Sequence, residues 1–348
     1  MTQDHLLTAL DAAARRRAER RRFLKAAGAT AASAGALTLL SACGGGDDDG
    51  GSTPTPTPTP SSTASPAPTP TPTPAYAEAD VLNFALQLEY LEATFYSYAA
   101  FGTDLPAGQV VGQGTQGAVT GGRGANFTDP VVRGYAREIA GDEIAHVAFL
   151  RRALGGSAVA RPAINIDGSA TGAFTAAARA AGVIGSTATF DPYASDDNFL
   201  LAAFLFEDVG VTAYRGAITS IRAKATVEAA AGIHAAEAYH AGLIRTALYV
   251  RGASTASLYT NTLNISNARD QLDGGTDLDQ PITGTDTVSN IVPADPNGLI
   301  FVRSPAQVLN VLFLEAPSDP VTGRAAATKG GFFPNGVNGT DTKLTTAT

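Results

Sequence analysis

The sequence predicts an all-α protein: a four-helix bundle with one long crossover between its second and third helices. A Pro/Thr-rich linker precedes the bundle and an irregular C-terminal extension follows it. Three observations predict this architecture. Four segments after Tyr76 carry apolar side chains at helical spacing. They fall into two pairs joined by a connection of about 40 residues, too long for a hairpin and suited to a crossover. The second pair also repeats the first in its residue pattern.

Composition bounds what the chain can be. It has 348 residues, of which 44% are hydrophobic and 16% charged, with one Cys and no Trp. A single cysteine excludes a disulfide framework, a zinc ribbon and a Cys-x-x-Cys redox centre. Residues 1–42 hold seven Lys/Arg and three Asp/Glu, so residues 43–348 hold 17 and 29, a balance of −12. Nucleic-acid binding, which needs a basic footprint, is not expected. No run of 18 apolar residues occurs, so no membrane-spanning helix is expected.

Residues 1–42 read as a leader. Arg20-Arg21-Arg22-Phe23-Leu24-Lys25 precedes a weakly apolar stretch from Ala26 to Leu40, which resembles a twin-arginine export signal. Leu40-Ser41-Ala42-Cys43 resembles a lipobox, which places the only cysteine at the lipidated terminus. Acyl chains contribute about 0.8 kcal/mol per buried methylene, so two or three of them anchor a protein firmly. The expected address is the periplasm or cell envelope, with the membrane as partner through lipidated Cys43. Residues 43–75 are Gly/Asp-rich and then Thr-Pro repeats, a composition for an extended tether rather than a fold.

The bundle is expected over residues 76–252. Val81 to Phe101 is the first helix, and Gly-rich residues 102–126 form a loop. Asp129-Pro130 opens the second with a capping side chain before a first-turn proline, and Gly155-Gly156 ends it. Residues 157–194 are the crossover, with one short helix near Phe174 to Ala181. Asp196-Asp197 supply negative charge at the start of the third helix, which runs to about Ile221, and Thr226 to Val250 is the fourth.

The echo carries the chemistry. Ala85-Leu86-Gln87-Leu88-Glu89, with Thr94 and Tyr96 beyond, aligns with Ala203-Phe204-Leu205-Phe206-Glu207, Thr212 and Tyr214. Glu143-Ile144-Ala145-His146 aligns with Glu237-Ala238-Tyr239-His240. A Glu three residues before a His shares its helical face and can hold the same ion. Nine glutamates lie among residues 43–348, yet two of the three histidines there have one at this offset. Glu207 follows the apolar run Phe199 to Phe206, so its face is not a wet one. Four buried carboxylates without counter-charge are very costly. Two divalent cations on Glu89, Glu143, Glu207 and Glu237, capped by neutral His146 and His240, remove that cost. Oxygen-rich ligands with two imidazoles suit iron or manganese, and zinc also fits. Glu92 and His234 are alternates: Glu92 lies one turn beyond Glu89 but aligns with Gly210, and His234 precedes Glu237 by three residues. Asp142 and Asp208, each beside a ligand, are expected to face out or to pair with Arg.

Residues 76–252 resemble the ferritin-like domain family. Leu88-Glu89-Tyr90-Leu91-Glu92-Ala93, Asp142-Glu143-Ile144-Ala145-His146 and Gly330-Gly331-Phe332-Phe333-Pro334-Asn335-Gly336 are similar to its desiccation-related subgroup. The resemblance implies a dinuclear centre that reacts with dioxygen or peroxide. It also implies that Tyr96 and Tyr214, seven residues after their glutamates, hydrogen-bond a ligand carboxylate and can donate electrons. The expected function is an exported dimetal-carboxylate protein with ferroxidase or peroxide-consuming activity. The rival is a structural or desiccation-protective envelope protein with a redox-silent site. An oligomer is compatible with this reading, whereas a hollow cage sits badly with a lipid tether and a long tail. Residues 253–348 are Thr/Asn/Asp/Gly-rich, with one capped helix expected at Ser304 to Phe313 and scattered apolar runs that favour packing on the bundle.

Overall fold

The computed structural model describes residues 76–347 apart from 275, 286–287 and 320–323. The export signal, Cys43 and the Pro/Thr-rich linker lie outside the described residues. The four expected bundle helices are present as α1 (Glu78–Phe101), α2 (Pro130–Leu154), α4 (Asp196–Ile218) and α5 (Lys224–Gly252). The crossover carries α3 (Ala173–Ala180). Helices α1 and α2 form one closely packed pair, α4 and α5 the other.

The two kinds of bundle helix differ in burial, and the sequence shows why. Helices α1 and α4 are apolar nearly all round and are buried on almost every side, as such helices must be. Helices α2 and α5 bury one stripe each, including Glu143 on α2 and Glu237 and His240 on α5. The side chain of Asp129 accepts from Val131 N–H at 2.8 Å to cap α2, and Pro130 occupies the first turn, where no N–H is needed. One end of the bundle is tied by charge. Asp196 accepts from the backbone N–H groups of Thr128 and Asp129, and Arg251 donates to Asp129 at 2.9 Å and Asp197 at 2.6 Å.

The loop after α1 is pinned to the crossover by a short parallel pairing of β1 (Val119–Thr120) with β2 (Ile164–Asn165). Beneath it Phe95 meets Phe174, Tyr193, Phe199 and Phe206 at ring separations of 5.3–5.8 Å. Among the described residues no helix is long and apolar enough to cross a membrane.

The C-terminal extension holds more structure than its composition suggested. A further helix, α6 (Ser257–Asp273), stands where an irregular segment was expected. Its Ser, Thr and Asn content hides a buried stripe of Leu258, Thr262, Ile265, Ser266, Arg269 and Asp273. A two-stranded ribbon, β3 (Thr283–Thr285) with β4 (Val288–Ser289), and the expected helix α7 (Pro305–Phe313) follow. Ser304 and Gln307 cap α7 reciprocally.

Tail and bundle share a buried ion network. Arg245 and Arg269 donate to Asp208 at 2.7 and 2.9 Å, Arg269 also pairs with Asp279, and Arg303 pairs with Asp273 and Asp279. The Gly330–Gly336 motif forms a second attachment. Gly330 and Gly331 sit at φ 154° and 43°, and a side chain on either would strike the carbonyl oxygens of Phe313 or Leu312. That approach lets Phe332 N–H donate to Leu312 O at 2.9 Å and seats its ring edge-on against Phe174 and Phe206 at 5.0 and 4.9 Å. Phe332→Ala is expected to cost about 3–5 kcal/mol, as buried aromatic truncations do. The denaturation midpoint measures it, and a loss below about 1 kcal/mol would show that the tail is not part of the core.

Candidate metal centre

Four helices each bring one helical face to a common interior. Glu89 and Glu92 come from α1, Glu143 and His146 from α2, Glu207 from α4, and Glu237 and His240 from α5. All five carboxylates are at most 4% exposed. Donor atoms of Glu89, Glu143, His146 and Glu237 lie within 4.8 Å of one another, and so do those of Glu143, Glu207 and His240. Glu143 belongs to both clusters. Its Oε2 is 3.5 Å from His146 Nδ1 and its Oε1 is 2.9 Å from His240 Nδ1. The two imidazole rings are 6.2 Å apart, with Glu143 between them.

The tyrosines cross between the helix pairs. Tyr96 on α1 donates to Glu207 on α4, and Tyr214 on α4 donates to Glu89 on α1. Each hydroxyl thus orients the carboxylate of the opposite repeat. The family resemblance implied a bond with a carboxylate but not this exchange, because the crossing depends on how α1 and α4 face each other. On the outer side of His240, Nε2 lies 3.4 Å from Asp142, whose side chain is 53% exposed. A carboxylate there fixes the ring's orientation and its inward nitrogen. Asp142 faces solvent and also meets His240, a contact between α2 and α5 that one-dimensional spacing does not show. Asp208 pairs with Arg245 and Arg269. Glu92 joins neither cluster, and nor does His234. His234 is half-buried against α4, hydrogen-bonded to the Val211 backbone, and its pKa is lowered by burial and by Arg215.

The electrostatics describe a deficit of positive charge. Burial pushes Glu89 up to about 7, with Glu143 adding to the effect, and pushes Glu207 up to about 8. Burial also raises Glu92 and Glu237 well above the carboxylate range, with Glu143 the largest charge contribution to each. Glu143 alone is held low, because the neighbouring imidazoles of His146 and His240 outweigh its burial. Burial would lower both histidines, but Glu89 lifts His146 to about 10 and Glu207 lifts His240 to about 11. Among the described residues no Arg or Lys forms an ion pair with any of these five glutamates.

A divalent metal fits this set. Buried donor atoms of Glu89, Glu143, His146, Glu207, Glu237 and His240 have no hydrogen-bond partner, a state that native interiors avoid unless an ion or other group satisfies them. Gly210 leaves room at the rim: a methyl group there would lie 2.6 Å from Glu237 Oε2 and 3.2 Å from Glu92 Oε1. The acidic group Asp270, Asp273 and Asp279 is different in kind, since Arg269 and Arg303 already neutralise two of its members.

Comparison with known proteins agrees with the geometry. A family profile described as the ferritin-like domain matches residues 77–250. The chain is similar to the ferritin-like catalase Nec2 of Nesocodon mauritianus, 28% identical over 277 residues, covering 76% of this chain and 84% of that protein. It is also similar to the desiccation-related protein PCC13-62 of Craterostigma plantagineum, 31% identical over 248 residues, covering 67% of this chain and 76% of that protein. No solved structure matches the chain.

Proposed function

The chain belongs to the ferritin-like domain family, and we propose that it is a dimetal-carboxylate protein that consumes peroxide. One observation carries the reading: two Glu/His clusters share Glu143 inside a bundle that supplies no Arg or Lys to them. Glu89, Glu143, His146 and Glu237 would hold one ion, and Glu143, Glu207 and His240 the other. Iron or manganese bound there supplies a two-electron change shared between neighbouring ions, which suits disproportionation of two peroxides to two waters and one dioxygen.

The protein's own part is positional. Glu143 turns one oxygen toward His146 and the other toward His240, and would serve both ions. The Tyr96 and Tyr214 hydroxyls hold Glu207 and Glu89 in place. His146, with 12% of its side chain exposed, opens one side of the site to solvent, and Asp142 links His240 to the surface. An apolar cavity of about 190 Å³, lined by all four bundle helices, includes Tyr214. It gives a small uncharged molecule room within one side chain of the centre. Export by the twin-arginine route and membrane anchoring through Cys43 complete the proposal, on the sequence of residues 1–43 alone. The name of the Nec2 relative favours catalase-type turnover, and that of the desiccation-related relative favours the protective reading.

Gas exchange separates them. The full chain, reconstituted with manganese or iron, is expected to bind about two ions and to release one O₂ per two peroxides added, read with an oxygen electrode. Oxygen uptake on adding Fe²⁺, without release from peroxide, would favour a ferroxidase. Two bound ions with neither response would favour a protective protein with a redox-silent site.

A further inference from the structure

We propose that Glu92 is a ligand of the second ion, which makes the centre one of five carboxylates and two imidazoles. This rests on the dimetal reading above. The two clusters are unequal as they stand: the first brings together four residues, the second only Glu143, Glu207 and His240. Their sequence echo would supply Glu237 to both. However, Glu237 places Oε1 3.6 Å from His146 in the first cluster and turns Oε2 toward Gly210. Glu92 stands at that spot. The space it enters exists because α4 has glycine at the position matching Glu92 in the repeat.

Glu92 also has no other evident employment. Its side chain is 4% exposed and its Oε2 has no hydrogen-bond partner. Among the described residues, the other buried acids outside the centre each have a cationic or hydrogen-bonding partner, although Asp196 Oδ1 and Asp273 Oδ1 are themselves unpartnered. Asp208, Asp273 and Asp279 pair with Arg245, Arg269 or Arg303, and Asp196 accepts from Thr128 and Asp129. A buried carboxylate among four others, with two imidazoles as the only basic side chains paired to the group among the described residues, needs either an ion or a permanent proton.

Glu92→Gln distinguishes these two states, because glutamine has the shape of the protonated acid but is a poor metal ligand. The full-length wild type and E92Q are loaded with Mn²⁺, freed of loose metal by gel filtration, and counted by mass spectrometry. Electron paramagnetic resonance then reports whether the ions are coupled. Wild type is expected to hold two coupled Mn²⁺ per chain. E92Q is expected to hold one, with an isolated six-line spectrum and at least about tenfold weaker binding of the second ion. Glu92→Asp keeps a carboxylate on a shorter stem and is expected to regain the second ion at raised Mn²⁺. It also decides the matter if E92Q does not fold. Two tightly held, coupled ions in E92Q would overturn the assignment and leave the dimetal reading intact. No bound Mn²⁺ in the wild type would overturn both.

Discussion

Glu143→Ala is expected to abolish both ion positions and to erase the stabilisation that metal gives the fold. Glu143 is the one carboxylate common to the two clusters, and each of its oxygens faces a different imidazole. Removing it takes a donor from each ion at once, whereas removing Glu89 or Glu207 takes a donor from one. An ion present at 100 times its dissociation constant stabilises the native state by about 2.7 kcal/mol. For a domain of this size that corresponds to a melting temperature higher by about 5–10 °C. The wild type should show that rise on adding Mn²⁺ or Fe²⁺, and the variant should show less than about 1 °C. The quantity to compare is the difference with and without metal, because the substitution also removes the partner of two imidazoles and so shifts the metal-free baseline. A metal-dependent rise of equal size in the variant would contradict the coupling of site to fold.

Arg303→Ala is expected to destabilise the protein by about 3–5 kcal/mol, the usual cost of stranding buried charge. Arg303 is 1% exposed and donates to Asp273 at 2.6 and 2.8 Å and to Thr212 Oγ1 at 2.8 Å. Its backbone N–H donates to Thr212 O at 3.2 Å, and Gly216 admits its carbonyl so closely that a side chain there would collide with it. The residue therefore joins the end of α6, the start of α7 and the C-terminal third of α4. Without it Asp279 still has Arg269, but Asp273 loses its partner. Adding Asp273→Asn to the variant should for that reason recover part of the loss. Chemical denaturation measures both effects, and a cost below about 1 kcal/mol would mean that water reaches Asp273.

What the sequence revealed and what it hid follow from the range of each interaction. Glu143 with His146, and Glu237 with His240, were legible because three residues fix their relative direction on a helix whatever the rest of the chain does. Glu89 and Glu207 were legible through the repeat and the apolar runs around them. His234 failed the same spacing test for a geometric reason. Three residues before and three after Glu237 lie about 60° to either side of it, so His234 and His240 diverge by about 120°. Glu92 aligns with Gly210 in the repeat, which favours Glu89 as the ligand, yet that glycine is what leaves space for Glu92. Helix α6 was missed because Thr262, Ser266, Arg269 and Asp273 are buried polar groups. Arg269 pairs with Asp208 on α4 and Asp273 with Arg303 just before α7, both far along the chain, and no local pattern announces such pairing.

Diffraction from crystals of the manganese- or iron-loaded protein, recorded at the metal's absorption edge, tests the central claim most directly. Two anomalous peaks are expected inside the bundle, one on each side of the Glu143 carboxylate and within reach of His146 and His240. A single peak at the surface, a peak at Asp270–Asp273–Asp279 instead, or none at all would show that these buried acids hold no pair of ions.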